Sequence, residues 1–261
     1  TESQKEEMKE MMENIPITVK ESDSGYVFDI QIRTLAGGHT GYVQISGYHT
    51  NVIRLMRDGE VLSEKDYTEQ QPIQSTNHDL LNVENIIEFA DCVDIKDVEE
   101  VLERQISCNK AIAKEGMTGK WGAAIGCTLM EAYGDSVHNR AKAMAAAGSD
   151  ARMNGCELPV VINSGSGNQG MTASLPVIVY AEELKVSREM MLRALVVSNL
   201  ITIHLKTGIG RLSAYCGAIS AGCGAGAGIC YLYGGRKMEI SHVIVNAVAI
   251  NSGVICDGAK A

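Results

Sequence analysis

The residues best suited to chemistry lie between His204 and Cys230, in the run HLKTGIGRLSAYCGAISAGCGAGAGIC. Cys216, Cys223 and Cys230 recur every seven residues. On a helix that spacing returns each thiol to nearly the same face. Glycines at 217, 222, 224, 226 and 228 crowd the same stretch. Each costs a helix about 1 kcal/mol against alanine, so a chain that keeps so many uses them for close backbone approach or positive φ. From Leu212 to Gly235 there is no charged side chain. Such a run is long enough to cross a bilayer, but it is built of Gly, Ala and Ser rather than Leu, Ile and Phe, which argues against a span. Two readings remain. One is a tightly packed core helix with inert thiols. The other is a cofactor cradle, in which a thiolate ligates a metal or cluster and glycines let the backbone come close. Spacing does not separate them.

A second polar stretch, NSGSGNQG from Asn163 to Gly170, lies between two apolar segments. Gly165, Gly167 and Gly170 match G-x-G-x-x-G, but a dinucleotide fingerprint also needs a second strand and an acidic residue about twenty positions on. The following segment reads as a helix capped by Ser187, so that reading is set aside. Amides and hydroxyls before a helix N-terminus suit a carboxylate; an ordinary turn satisfying its own backbone is the plainer alternative.

The elements that must position these groups divide in two. Residues 1–78 read as an α/β module and 79–261 as a helical domain, an α+β fold. Thr1 to Asn14 is helical in composition, with Met8, Met11 and Met12 as an inward stripe. Alternation over Ile15–Val19, Tyr26–Arg33, Gly41–Ile45 and Val52–Met56 predicts a meander of about four strands, punctuated by Asp23-Ser24-Gly25, Gly37-Gly38 and Asp58-Gly59. His49 sits in a loop between strands, where a surface role is the ordinary one. Leu62 to Asp79 reads as a linker. Thereafter Asn82, Asp94 and Ser187 are helix N-caps. Helices are expected from Lys120 to Tyr133, from Val137 to a stop at Gly148, and from Met238 to Ile250.

Composition narrows the function. The 261 residues carry a net charge of −9, which disfavours nucleic acid and anionic membrane surfaces and suits a cytoplasmic protein. The eight cysteines include no CxxC pair, which excludes a zinc ribbon or thioredoxin motif. Cys92, Cys108, Cys127 and Cys156 read as reduced packing residues. The chain opens on Thr1 inside a charged helix and stops soon after Cys256, which reads as part of a longer polypeptide.

Taken together, HLKTGIGRLSAYCGA, AGCGAGAG, NSGSGNQG and VICDGAKA resemble the iron–sulfur L-serine dehydratase superfamily, in particular its L-cysteine desulfidase branch. The resemblance covers Asp79 to Ala261 as the helical catalytic domain. It implies β-elimination from a small L-amino acid, cysteine or serine, without pyridoxal phosphate. A four-iron four-sulfur cluster acts there as Lewis acid on the β-leaving group. Cys223 and Cys256 match cluster positions, while Cys216 and Cys230 are kept as packing thiols. Ser164, Ser166, Asn168 and Gln169 match the stretch expected near substrate. Lys206 and Arg211 could pair the substrate carboxylate, with His204 and Lys206 as the catalytic candidates and a structural role for His204 equally open. A small amino-acid substrate is the implied partner, and a homodimer is compatible. The sequence departs from the desulfidase pattern in lacking a cysteine soon after CDGAK and another in a GCTEP-like segment, so a third ligand is not assigned. A non-catalytic small-molecule sensor on the same scaffold is the alternative class.

Overall fold

The structure is a computed structural model that describes residues 2–26, 28–48, 50–66, 77–209 and 217–252. The chain divides into two compact units, Thr1–Ser75 and Thr76–Ala261.

The first unit holds helix α1 (Glu2–Asn14) and an antiparallel meander of β1 (Asp29–Ala36), β2 (His39–Ser46), β3 (Val52–Arg57) and β4 (Glu60–Glu64), in the order β1-β2-β3-β4. Two tight hairpins set its register. Ala36 pairs with His39 across Gly37 and Gly38, and Arg57 with Glu60 across Asp58 and Gly59. All four turn residues have positive φ, the condition for the type I′ turns that match strand twist. The Asp58 carboxylate ties one turn to the other hairpin, taking the Thr40 N–H at 2.7 Å and meeting His39 Nδ1 at 2.8 Å.

Three expectations fail in this unit. Ile15–Val19 forms no strand, and Ile15, Ile17 and Val19 are exposed. The methionine stripe of α1 is exposed as well. The segment read as the start of a linker contributes most of β4. Alternation and stripes describe what a segment could bury, and burial also requires something to bury it against.

The second unit is helical: α2 (Val83–Cys92), α3 (Ile95–Gly116), α4 (Ile125–Tyr133), α5 (Val137–Met153), α6 (Gly167–Glu183), α7 (Arg188–Thr207), α8 (Gly217–Leu232) and α9 (Lys237–Ile250). The fold class is α+β, as expected. Caps fall where the sequence placed them: Asn82 accepts from Asn85 N–H, Asp94 from Lys96 N–H and Ser187 from Met190 N–H. Two boundaries differ. Helix α4 begins at Ile125 rather than Lys120, because Gly119, Gly122 and Ala124 take positive φ; Asp150 of α5 then accepts the Ile125 N–H at 2.7 Å. Helix α5 runs through Gly148, where a Cβ would lie 2.8 Å from Met171 Sδ and 3.5 Å from Ala113. Among the described residues no helix is long and apolar enough to cross a membrane.

The main core joins α2, α3, α6, α7, α8 and α9 through Ile86, Ile106, Ile178, Leu195, Ile201, Ala227 and Ile240. A smaller core of Ile112, Ala151, Met171 and Leu175 joins α3, α5 and α6. The chain from Val160 to Ser166, which carries the polar loop, packs Val160 on the smaller core and is hydrogen-bonded to Asn109 of α3 and Asn199 of α7.

Candidate functional site

Helix α8 owes its position to glycine. A Cβ at Gly224 would lie 2.1 Å from Thr202 Oγ1 and 2.4 Å from the Ser198 carbonyl; one at Gly228 would lie 2.8 Å from the Ala194 carbonyl. Both glycines therefore let α8 pack directly on α7, and the close-approach reading of the stretch holds for them. The pairing is antiparallel. Followed back along α8, it brings Ser220 and Gly217 level with the last turns of α7, where His204 and Lys206 lie.

The polar loop arrives at the same end. Ser166 caps α6, accepting from Gln169 N–H at 3.4 Å. Gln169 is fully buried. Its Oε1 accepts from Ser164 N–H at 3.1 Å, and its Nε2 donates to Ser164 Oγ at 3.3 Å and to Ser220 Oγ on α8 at 3.4 Å. One amide thus fastens the loop to the glycine helix, three residues before Cys223. The first-turn N–H groups of α6 and its dipole favour an anion at this end.

The structure brings Ser164, Ser166 and Gln169 together. It does not bring Asn168 to them: its Oδ1 accepts from Arg152 Nη1 on α5 at 3.2 Å. Lys206 is only 8% exposed, and among the described residues no carboxylate pairs with it. With its stem buried and no carboxylate paired to it, this side chain is suited to an anionic ligand. His204 is half-buried on the preceding part of the turn. Arg211, Cys216, Cys256 and the loop residue His49 lie outside the described residues.

Cys223 is 1% exposed, and burial pushes its thiol up, toward the protonated form. Burial also raises Cys230, with Glu239 adding to the effect. Among the described residues no group of three or more His, Cys, Asp or Glu side chains is placed to hold a metal ion, whereas a four-iron cluster is held by several thiolates. The described residues supply one candidate ligand and by themselves do not make a cluster cradle.

Several residues missed in the sequence hold this site. Asn109, fully buried on α3, accepts from the Val161 N–H at 2.9 Å and donates to the Val161 carbonyl at 3.3 Å and to Ser174 Oγ at 2.9 Å. Gln105, one turn earlier, exchanges two 2.9 Å hydrogen bonds with Asn199 of α7. Asn163 Nδ2 donates to Asn199 Oδ1 at 2.7 Å and to its carbonyl at 3.1 Å. A signal existed: Gln105 and Asn109 fall on the inward face of α3 between Leu102, Ile106 and Ile112, and amides on an apolar stripe must find partners.

Comparison with known proteins fits this geometry. Residues 2–261 match the family described as serine dehydratase alpha chain. The chain belongs to that family. This places it in the iron–sulfur serine dehydratase-like superfamily expected from its motifs. It is 55% identical over 259 residues to a UPF0597 protein of Desulfitobacterium hafniense, covering 99% of this chain and 60% of the relative. It is 53% identical over 231 residues to one from Lachnoclostridium phytofermentans, covering 88% and 55%. A third, from Aeromonas hydrophila, is 39% identical over 266 residues, covering 99% and 60%. The chain thus spans about 60% of the length of the curated relatives it matches. No solved structure matches it.

Proposed function

We propose that the protein is a lyase that eliminates the β-substituent of a small L-amino acid, releasing sulfide from L-cysteine to leave pyruvate and ammonia. The observation that carries this reading is the bond from Gln169 of the capped α6 loop to Ser220 of α8, three residues before Cys223 and level with the turn of α7 that carries Lys206. The α6 N-terminus, with Ser164 and Ser166, binds the substrate carboxylate, and Arg211 of the same motif as Lys206 adds a second cation. His204 or Lys206 removes the α-proton. The β-group departs with its bonding pair and takes up a proton, and the aminoacrylate left behind hydrolyses to pyruvate and ammonia. Cys223 and Cys256 are the proposed cluster ligands, with the third unassigned. A bound cluster supplies Lewis acidity toward the departing sulfur or oxygen.

Serine dehydration is the second reading, favoured by the description of the family. Full-length protein purified without oxygen, given L-cysteine and L-serine side by side, separates the two by sulfide and pyruvate release. Iron and labile sulfide per chain test the ligand assignment independently of turnover. Cys223→Ala is expected to abolish iron retention, and unchanged iron content in that variant removes Cys223 from the ligand set. A non-catalytic sensor would bind amino acids and take up no iron on reconstitution.

A further inference from the structure

The amide chain behind the loop has a direction, and it ends on an unsatisfied atom. The Leu195 carbonyl can only accept, so Asn199 turns its Nδ2 toward it, at 2.9 Å. Asn199 Oδ1 must then receive donors, and it does, from Gln105 Nε2 at 2.9 Å and Asn163 Nδ2 at 2.7 Å. The Asn199 main-chain carbonyl, another obligate acceptor, takes Asn163 Nδ2 at 3.1 Å. Asn163 is therefore fixed with its nitrogen toward α7 and its oxygen away. That oxygen is buried and accepts no hydrogen bond among the described residues. Reversing the amide would set its oxygen against two acceptors, so the neighbours lock the orientation.

Asn163 stands three residues before the Ser166 cap, and Gly165 and Ser166 are exposed, so the loop that carries it reaches solvent. A carboxylate at the α6 N-terminus belongs, in an α-amino acid, to a molecule with an ammonium group one carbon away. An amide oxygen held free of other donors is the complement of that group. We propose that Asn163 Oδ1 accepts from the ammonium of the amino acid bound at this loop, which makes Asn163 the residue that distinguishes an α-amino acid from its des-amino counterpart. Gln105 and Asn199 are positioning residues, acting through Asn163. This inference rests on the amino-acid lyase reading and adds the group by which that substrate is selected.

The test compares binding of L-serine with 3-hydroxypropanoate, and of L-cysteine with 3-sulfanylpropanoate, by the full-length protein. Wild type is expected to prefer each amino acid. Asn163→Ala is expected to weaken the amino acids by roughly tenfold or more, the scale of a hydrogen bond to a charged group, and to leave the des-amino acids within about twofold. Equal loss for both members of a pair means that Asn163 only shapes the loop, and no loss means that it has no role; either result overturns the inference. Asn163→Ser supplies a hydroxyl that can donate toward Asn199 and removes the amide oxygen, so it covers the case in which the alanine variant does not fold; it is expected to lose the amino-acid preference. Retained preference in that variant also overturns the inference. If wild type binds none of the four compounds, the lyase reading fails and takes this inference with it; if it binds the amino acids and the variants keep wild-type selectivity, only this inference fails.

Discussion

The sheet unit and the helical unit are held by different means. In the sheet unit, few of the described side chains are buried: Ile53, at the irregularity where β2 and β3 shift register, and Ser46. Turns and polar ties do much of the rest. Asp29 is the clearest tie. Its carboxylate accepts from Ser46 Oγ at 2.5 Å, Gln31 Nε2 at 2.7 Å and Gln44 Nε2 at 2.9 Å, joining β1 to β2. The helical unit buries most of the core and fits its helices together through glycine and alanine. A unit built on close packing answers sharply to added volume; one built on turns and exposed hydrogen bonds answers in smaller steps. A site that needs fixed geometry is better placed in the first kind.

The sharpest way to break this contrast is Gly224→Ala. The new Cβ meets the Ser198 carbonyl as well as the Thr202 hydroxyl, so α7 and α8 must separate. A loss of about 3 kcal/mol is expected in urea unfolding. The paired control is Gly222→Ala on the same helix, where nothing lies within 4 Å; it is expected to stabilise by up to about 1 kcal/mol. Equal effects at the two positions would mean that α8 is not close-packed on α7.

Asn109→Leu comes next. It strips Val161 of both main-chain partners and Ser174 of a third, and is expected to cost about 2–3 kcal/mol. Faster amide exchange at Val161 would locate the damage in the chain leading to the loop.

In the sheet, burial opposes ionisation of Asp29, but the bonds from Ser46, Gln31 and Gln44 outweigh it and hold the carboxyl below the usual carboxylate range. A depressed folded value means stability that is complete above the unfolded value, near pH 4, and is lost as pH falls through the lower folded one. Asp29→Asn is expected to cost about 1–2 kcal/mol at neutral pH and to flatten the acid limb of the sheet's stability, followed by amide exchange in β1 and β2. A wild-type sheet indifferent to pH between 4 and 2 would exclude this tie.

The smallest effect is expected at Gly59→Ala. Its φ of +83° is strained for any L side chain, at about 1 kcal/mol, and the change appears as faster exchange in the β3–β4 hairpin. A cost there as large as that of Gly224→Ala would erase the distinction between the two units.

What the chain determined by itself was local. Asn82, Asp94 and Ser187 cap the helices that follow them, and Gly37-Gly38 and Asp58-Gly59 make the turns they spell, because each depends on a few neighbouring atoms. The motifs around Cys223 and Asn163 pointed to the family. Tertiary structure decided what local pattern leaves open. It exposed the methionines of α1 and left Ile15–Val19 without a strand, because a stripe is buried only when another element covers it. It turned Asn168 away from Ser164 toward Arg152. It also joined Gln105, Asn199 and Asn163, ninety-four and thirty-six positions apart in successive steps; hydrogen bonds between residues that distant follow from how α3, α7 and the loop pack, and no short window of sequence contains them.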